Sequence, residues 1–226
     1  MALTLNVQNI LQFYTVLSPI FISVFLLLQS VMKGDLKGIV WIIGAFLAWM
    51  VGMGIKSIFA SQDQARRAAG KPTKHIRKSF VDRTNMNFMG DTSQGSGVPD
   101  YCSVFQGPFE HQFIHTIKLP SLNALFHAFT ISYIAMGVGS SSKPSNEGII
   151  FLIILGILAL INGFYRKLYD CDGYMDLFVG AVLGTGLGVA WFFAIKGINP
   201  TWTYYGEEDL KGKCVLGKQK FKCTYD

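Results

Sequence analysis

Charge is scarce in this sequence, and the scarcity is uneven. Only 15% of the 226 residues are Asp, Glu, Lys or Arg, against about a quarter in an ordinary soluble domain. No charge at all precedes Lys33. Uncharged blocks then recur: 18 residues between Lys37 and Lys56, 24 between Lys118 and Lys143, 18 between Glu147 and Arg166, and 19 between Asp176 and Lys196. A helix rising about 1.5 Å per residue crosses a hydrocarbon layer of about 30 Å with roughly 20 apolar residues. Five such blocks argue against a soluble fold and for five membrane spans.

Other absences narrow the reading. The first block has no positive n-region, too long an apolar stretch (Leu11 to Val31) for a signal h-region, and no small-residue cleavage site, so it is expected to be a retained span. No recognisable module interleaves basic residues with aromatics, so no nucleic-acid partner is expected. No block carries a charge at its centre or a break in its middle, which disfavours a transporter or channel. Asn199-Pro200-Thr201 has Pro in the middle position and no other glycosylation acceptor occurs, so glycosylation gives no orientation.

What is present predicts an all-α integral membrane protein, a bundle of about five transmembrane helices with a long basic loop and a short C-terminal tail. The spans are expected at about 10–31, 38–58, 119–138, 148–166 and 176–196, within a bundle of residues 1–198. The loop at about 60–118 opens with Arg66, Arg67, Lys71, Lys74, Arg77, Lys78 and Arg83 and becomes Gly/Ser/Asp-rich at Gly90–Asp100. A connection this long is usually functional or partly disordered. The tail, 199–226, opens with Trp202, Tyr204 and Tyr205, expected to anchor at the interface. Lys and Arg divide 11 to the face of the long loop and 9 to the other, the total of 20. That difference is too small for the positive-inside rule, although the basic cluster after the second span tilts the loop face toward the cytosol. In the fifth span Gly180, Gly184 and Gly188 lie on one helix face and predict close packing, within the bundle or against a second copy.

Polar groups gather where the spans meet the loop face. Lys56 ends the second span; Pro120, Ser121 and Asn123 open the third, with His127 one turn deeper; Arg166 ends the fourth; Asp172 and Asp176 precede the fifth. Taken singly, these are snorkelling cations and helix caps. Their joint order and spacing resemble the membrane type 2 phosphatidic acid phosphatase family, which shares its helical core with vanadium haloperoxidases. That family carries a Lys followed seven residues later by Arg-Pro, then Pro-Ser-Gly-His, then Arg, His and Asp spaced six and four apart. Lys56, Pro120-Ser121-Leu122-Asn123, and Arg166, Asp172 and Asp176 stand in that frame, over about residues 38–190. The run from Pro120 to Tyr133 also looks like membrane proteins of this superfamily in large DNA viruses, which implies a virion inner membrane or an endomembrane as its home.

The departures are chemical. Asp63 stands where the resemblance implies an Arg, with no Pro after it. Asn123 stands in place of the general-acid His and Asp172 in place of the nucleophilic His. Two cations, Lys56 and Arg166, remain for phosphate while two carboxylates are added. Asp172 could in principle form an acyl-phosphate, with His127, His111 or His115 as the acid, but such chemistry needs more positive charge than remains. The expectation is a vestigial pocket of Lys56, Asp63, Ser121, Asn123, Arg166, Asp172 and Asp176 filled by an ion network. The protein would then be a non-catalytic structural or scaffolding protein on a degenerate lipid-phosphatase fold. An active phosphatase on a lipid phosphate or pyrophosphate is the alternative. No cofactor or metal is expected. Asp170-Cys171-Asp172-Gly173 only loosely resembles a calcium loop, and His111 and His115 lack a third ligand. Expected partners are membrane lipids, mainly anionic headgroups, and proteins bound through the 60–118 loop or the tail.

Four cysteines divide by face, Cys102 and Cys171 on the loop side, Cys214 and Cys223 in the tail. The tail pair could close a hairpin turning near Gly217-Lys218, or remain as two thiols. A disulfide there would require an oxidising tail side.

Overall fold

The computed structural model describes residues 7–68, 119–141, 146–169, 171–205, 214–216 and 221–223. Five helices carry the fold: α1 (Val7–Lys33), α2 (Lys37–Ala68), α3 (Leu122–Gly139), α4 (Asn146–Leu168) and α5 (Tyr174–Ile198). Each is long and apolar enough to cross a membrane. The helices run one to three residues past the expected span limits, except at two places. α3 starts at Leu122 rather than 119, because Ser121 takes the N-cap and accepts from the Ala124 N–H. α2 continues to Ala68, so the first nine residues of the expected loop, 60–68, are helical. Ser, Gln, Ala and Arg are adequate helix formers once a span supplies the nucleus. The rest of that loop, including His111 and His115, lies outside the described residues.

Residues 199–205 include a single 3-10 turn (Pro200–Trp202), and the tail adds two short strands, β1 (Cys214–Leu216) and β2 (Phe221–Cys223). The strands pair antiparallel with Cys214 opposite Cys223. The fold is therefore all-helical through the bundle with a small hairpin beyond it.

α3 is the central element. Leu125, Phe129, Tyr133, Ile134 and Val138 from α3 are buried among Leu26, Trp41, Leu155 and Phe192 of the surrounding helices. The outward faces of the other four helices stay apolar, with Phe25, Phe46, Ile153, Leu160, Phe164 and Val182 all exposed. α3 meets α5 most closely because α5 offers no side chains there. A Cβ at Gly180, Gly184 or Gly188 would collide with the backbone carbonyl of Ser121, Leu125 or Phe129 respectively. Since α3 fills this face, it is not open to a second copy.

Chain order and these contacts give the bundle two ends. The α4–α5 turn meets the start of α3 at one, here the loop end, where Ser121 donates its N–H to the Asp176 carbonyl at 3.1 Å. At the other, the tail end, α1 stops at Gly34, whose φ of +66° suits the left-handed helix terminus. Gly34 and Asp35 donate N–H groups to the Val31 and Ser30 carbonyls, and Ser30 Oγ then receives the Gly38 N–H. Tyr204 and Tyr205 close this end from the tail. They are buried, and the Tyr204 hydroxyl donates to the Leu26 carbonyl at 2.8 Å. Of the three expected interfacial aromatics, Tyr204 and Tyr205 thus plug the bundle end while Trp202 is half-buried, and Gly137 on α3 lets the Tyr204 backbone approach where any Cβ would clash.

Candidate functional site

At the loop end three of the expected site residues meet. Asp172 follows α4 in a tight turn, where the Cys171 and Asp172 N–H groups both donate to the Arg166 carbonyl. That turn directs the Asp172 carboxylate back onto its own helix end. Arg166 Nε donates to Asp172 Oδ2 at 2.5 Å, and Ser121 Oγ donates to the same oxygen at 2.8 Å. The Arg166 and Asp172 side chains are only 11% and 6% exposed, so the ion pair is shielded from water. Ser121 Oγ also accepts the Ala124 N–H and so links the ion pair to the start of α3.

Asp176 is employed differently. Its Oδ2 accepts the Gly173 N–H at 2.7 Å, the reach of a residue three past the N-cap back to the cap. Its charge also favours the N-terminus of α5. Lys56 is half-buried near the end of the apolar stretch of α2. Asp63 falls on the last turns of α2, with its side chain outside the described residues.

Asn123 belongs to a second cluster, one that sequence reasoning missed. α1 runs through Pro19 without ending. Proline has no N–H, so the carbonyl four residues earlier, on Thr15, loses its intrahelical donor. Asn123 Nδ2 from α3 donates to that carbonyl at 3.0 Å, and Asn162 Nδ2 from α4 donates to it at 3.1 Å. Asn162 reaches Ser18 Oγ as well, at 2.6 Å. Helix breaks between apolar helices persist when neighbouring side chains take up the freed groups in this way. The signal was available: Pro19 four residues after Thr15, and Asn162 alone in an apolar block one helical turn before Arg166.

His127 lies one turn below Asn123 and is buried, with Nδ1 2.8 Å from the Asn123 carbonyl oxygen. A ring bonded there donates from Nδ1, so Nε2 is left as an acceptor; it is buried without a partner. Arg166 lies within electrostatic reach of this ring. Among the described residues no three His, Cys, Asp or Glu gather to hold a metal ion.

The chemistry open to this arrangement is limited by geometry. A guanidinium that receives phosphate must present free N–H groups to it, whereas the Arg166 Nε is committed to an internal carboxylate. The hydroxyl of Ser121 is committed to the same carboxylate, and the amide of Asn123 to a backbone carbonyl. No protein-family model, curated protein or solved structure matches the chain.

Proposed function

We propose that this chain is a multi-pass integral membrane protein with a structural or scaffolding role, built on a degenerate lipid-phosphatase bundle. The observation that carries the proposal is the buried Arg166–Asp172 pair with Ser121 donating to the same carboxylate oxygen. A phosphate seat needs uncompensated positive charge, and here a fixed carboxylate already takes up the charge of Arg166. Separating a buried ion pair costs about 3–5 kcal/mol, which any entering phosphate would have to offset before reaction. Asn123, in the frame position of the general acid, is an amide without an acidic proton and is used to hold α1. The belt of exposed Ile, Leu and Phe on the four helices around α3 supports membrane insertion, since each such face would otherwise meet water. A virion inner membrane or an endomembrane is its proposed home, with anionic headgroups and protein partners at the basic loop and tail.

Turnover assays separate this reading from an active phosphatase. Protein purified in detergent is presented with phosphatidic acid and prenyl pyrophosphate beside its Arg166→Ala and Asp172→Ala variants. We expect no turnover from any of the three. Hydrolysis by the natural sequence that both substitutions abolish would sink the proposal. A companion variant carrying Asn123→His and Asp172→His tests the frame itself: phosphate release gained by this pair of changes supports descent from the phosphatase bundle.

A further inference from the structure

We infer that disulfides close both ends of this bundle, so that the chain matures where thiols on either side of its membrane meet an oxidant. The inference rests on the membrane-spanning reading above. Cys171, buried in the turn between α4 and α5, is disulfide-bonded. Cys214 and Cys223 face one another across the β1–β2 ladder. Directly opposed residues of antiparallel strands have Cα atoms about 4.5–5.5 Å apart, within the range a disulfide spans.

The two crosslinks are separated by α5. Cys171 precedes its first residue, Tyr174, and the hairpin follows its last, Ile198. Its 25 residues make a rod of about 37 Å, longer than the roughly 30 Å hydrocarbon layer. One bond therefore sits on each side of the membrane. A membrane with a glutathione-buffered cytosol on one side would keep that side's pair as thiols. The Cys171 bond stands at the loop end, where the basic cluster alone suggests a cytosolic face, and the hairpin bond stands at the opposite end. Each bond forms when two thiols lose two protons and two electrons to a thiol oxidant, whose own disulfide is reduced to two thiols by exchange through a mixed disulfide. The structure thus assigns the chain a partner class, a thiol–disulfide oxidant reaching each face.

The loop-end bond also bears on the ion pair. Cys171 and Asp172 share the Arg166 carbonyl as acceptor, so fixing Cys171 fixes the turn that aims the Asp172 carboxylate at Arg166 and Ser121.

Thiol mapping in the native membrane tests the inference. Free thiols are blocked with N-ethylmaleimide in acid-quenched membranes, the full chain is digested without reductant, and linked peptides are identified by mass spectrometry. We expect a Cys214–Cys223 link and a link from Cys171 to Cys102, the remaining cysteine of the sequence, each in most molecules. Maleimide on most copies of Cys171, or on most copies of both tail cysteines, would overturn it. A second arm reduces sealed vesicles and adds a membrane-impermeant maleimide. Labelling of one pair before permeabilisation and the other only after it supports opposite faces. Both pairs labelling in sealed vesicles would overturn the two-face inference through the spanning reading, even with both links present, and so separates that failure from a failure of the redox chemistry.

Discussion

Asn123 Nδ2 on α3 and the Thr15 carbonyl on α1 are joined by a hydrogen bond of 3.0 Å, and the bond exists because Pro19 cannot supply the helical one. Asn123, the residue that the proposed phosphatase resemblance would set in place of a histidine, is thus a working part of the helix packing. A histidine at 123 would meet that carbonyl with a ring in place of an amide.

The coupling between these two positions is measurable. Asn123→Ala should destabilise the bundle by about 1–3 kcal/mol, because it removes one of two amide donors from a buried carbonyl. In a Pro19→Ala background the helix can supply its own N–H, so the same substitution should cost markedly less. A double-mutant cycle in detergent, followed by denaturant unfolding, should return an interaction energy of about 0.5 kcal/mol or more. Strict additivity would mean that the Asn123 bond does not serve the proline break.

The ion pair makes a second prediction. Arg166→Met or Asp172→Leu alone leaves a buried charge uncompensated and should cost about 3–5 kcal/mol. The double replacement should recover most of that loss. Midpoints of thermal unfolding for the two single variants and the double would decide it, with an additive double variant as the contrary result.

Glycines on α5 provide an internally controlled pair. Gly184→Ala places a methyl against the Leu125 carbonyl, whereas nothing lies within 4 Å of a Cβ at Gly186. The first should loosen the α3–α5 contact by about 1–3 kcal/mol. The second should leave stability nearly unchanged. Equal effects on detergent unfolding would show that the α3 contact is not what requires glycine at 184.

Tyr204 gives the tail plug a pH signature. Burial, with smaller contributions from Asp35, Tyr133 and Tyr205, pushes its hydroxyl above the ordinary tyrosine range. The folded state then holds this proton more tightly than the unfolded state. The stabilisation is fully present below the ordinary tyrosine value of about 10 and is lost as pH rises above it. Tyr204→Phe should lower stability by about 1 kcal/mol at neutral pH through the lost bond to Leu26. It should also flatten the alkaline decline, as read from unfolding midpoints between neutral and strongly alkaline buffer. An alkaline limb identical to that of the natural sequence would count against the plug.

Much of the architecture is written locally. Five uncharged blocks place five helices to within a few residues, because the length and apolarity needed to cross a hydrocarbon layer are properties of each segment alone. Ser121 and Asp176 are legible as helix-end residues for the same reason. The extension of α2 to Ala68 was not, since polar residues continue a helix once an adjoining span has nucleated it.

Pairing was decided by tertiary structure. Sequence order brings Lys56, Asp63, Arg166, Asp172 and Asp176 into one list, yet the fold joins Arg166 to Asp172 and gives Asp176 to the Gly173 N–H. Those choices depend on the turn after α4, which backbone bonds to the Arg166 carbonyl shape. The same holds for Asn123, Asn162 and Thr15, from three helices far apart in the chain, and for Tyr204, buried only because Gly137 admits its backbone. The sequence by itself determined the five apolar helices of the described bundle and most of their ends, since hydrophobic length acts segment by segment. Which polar groups satisfy one another was left to the packed bundle, because hydrogen bonds and ion pairs depend on distances that only the tertiary arrangement sets.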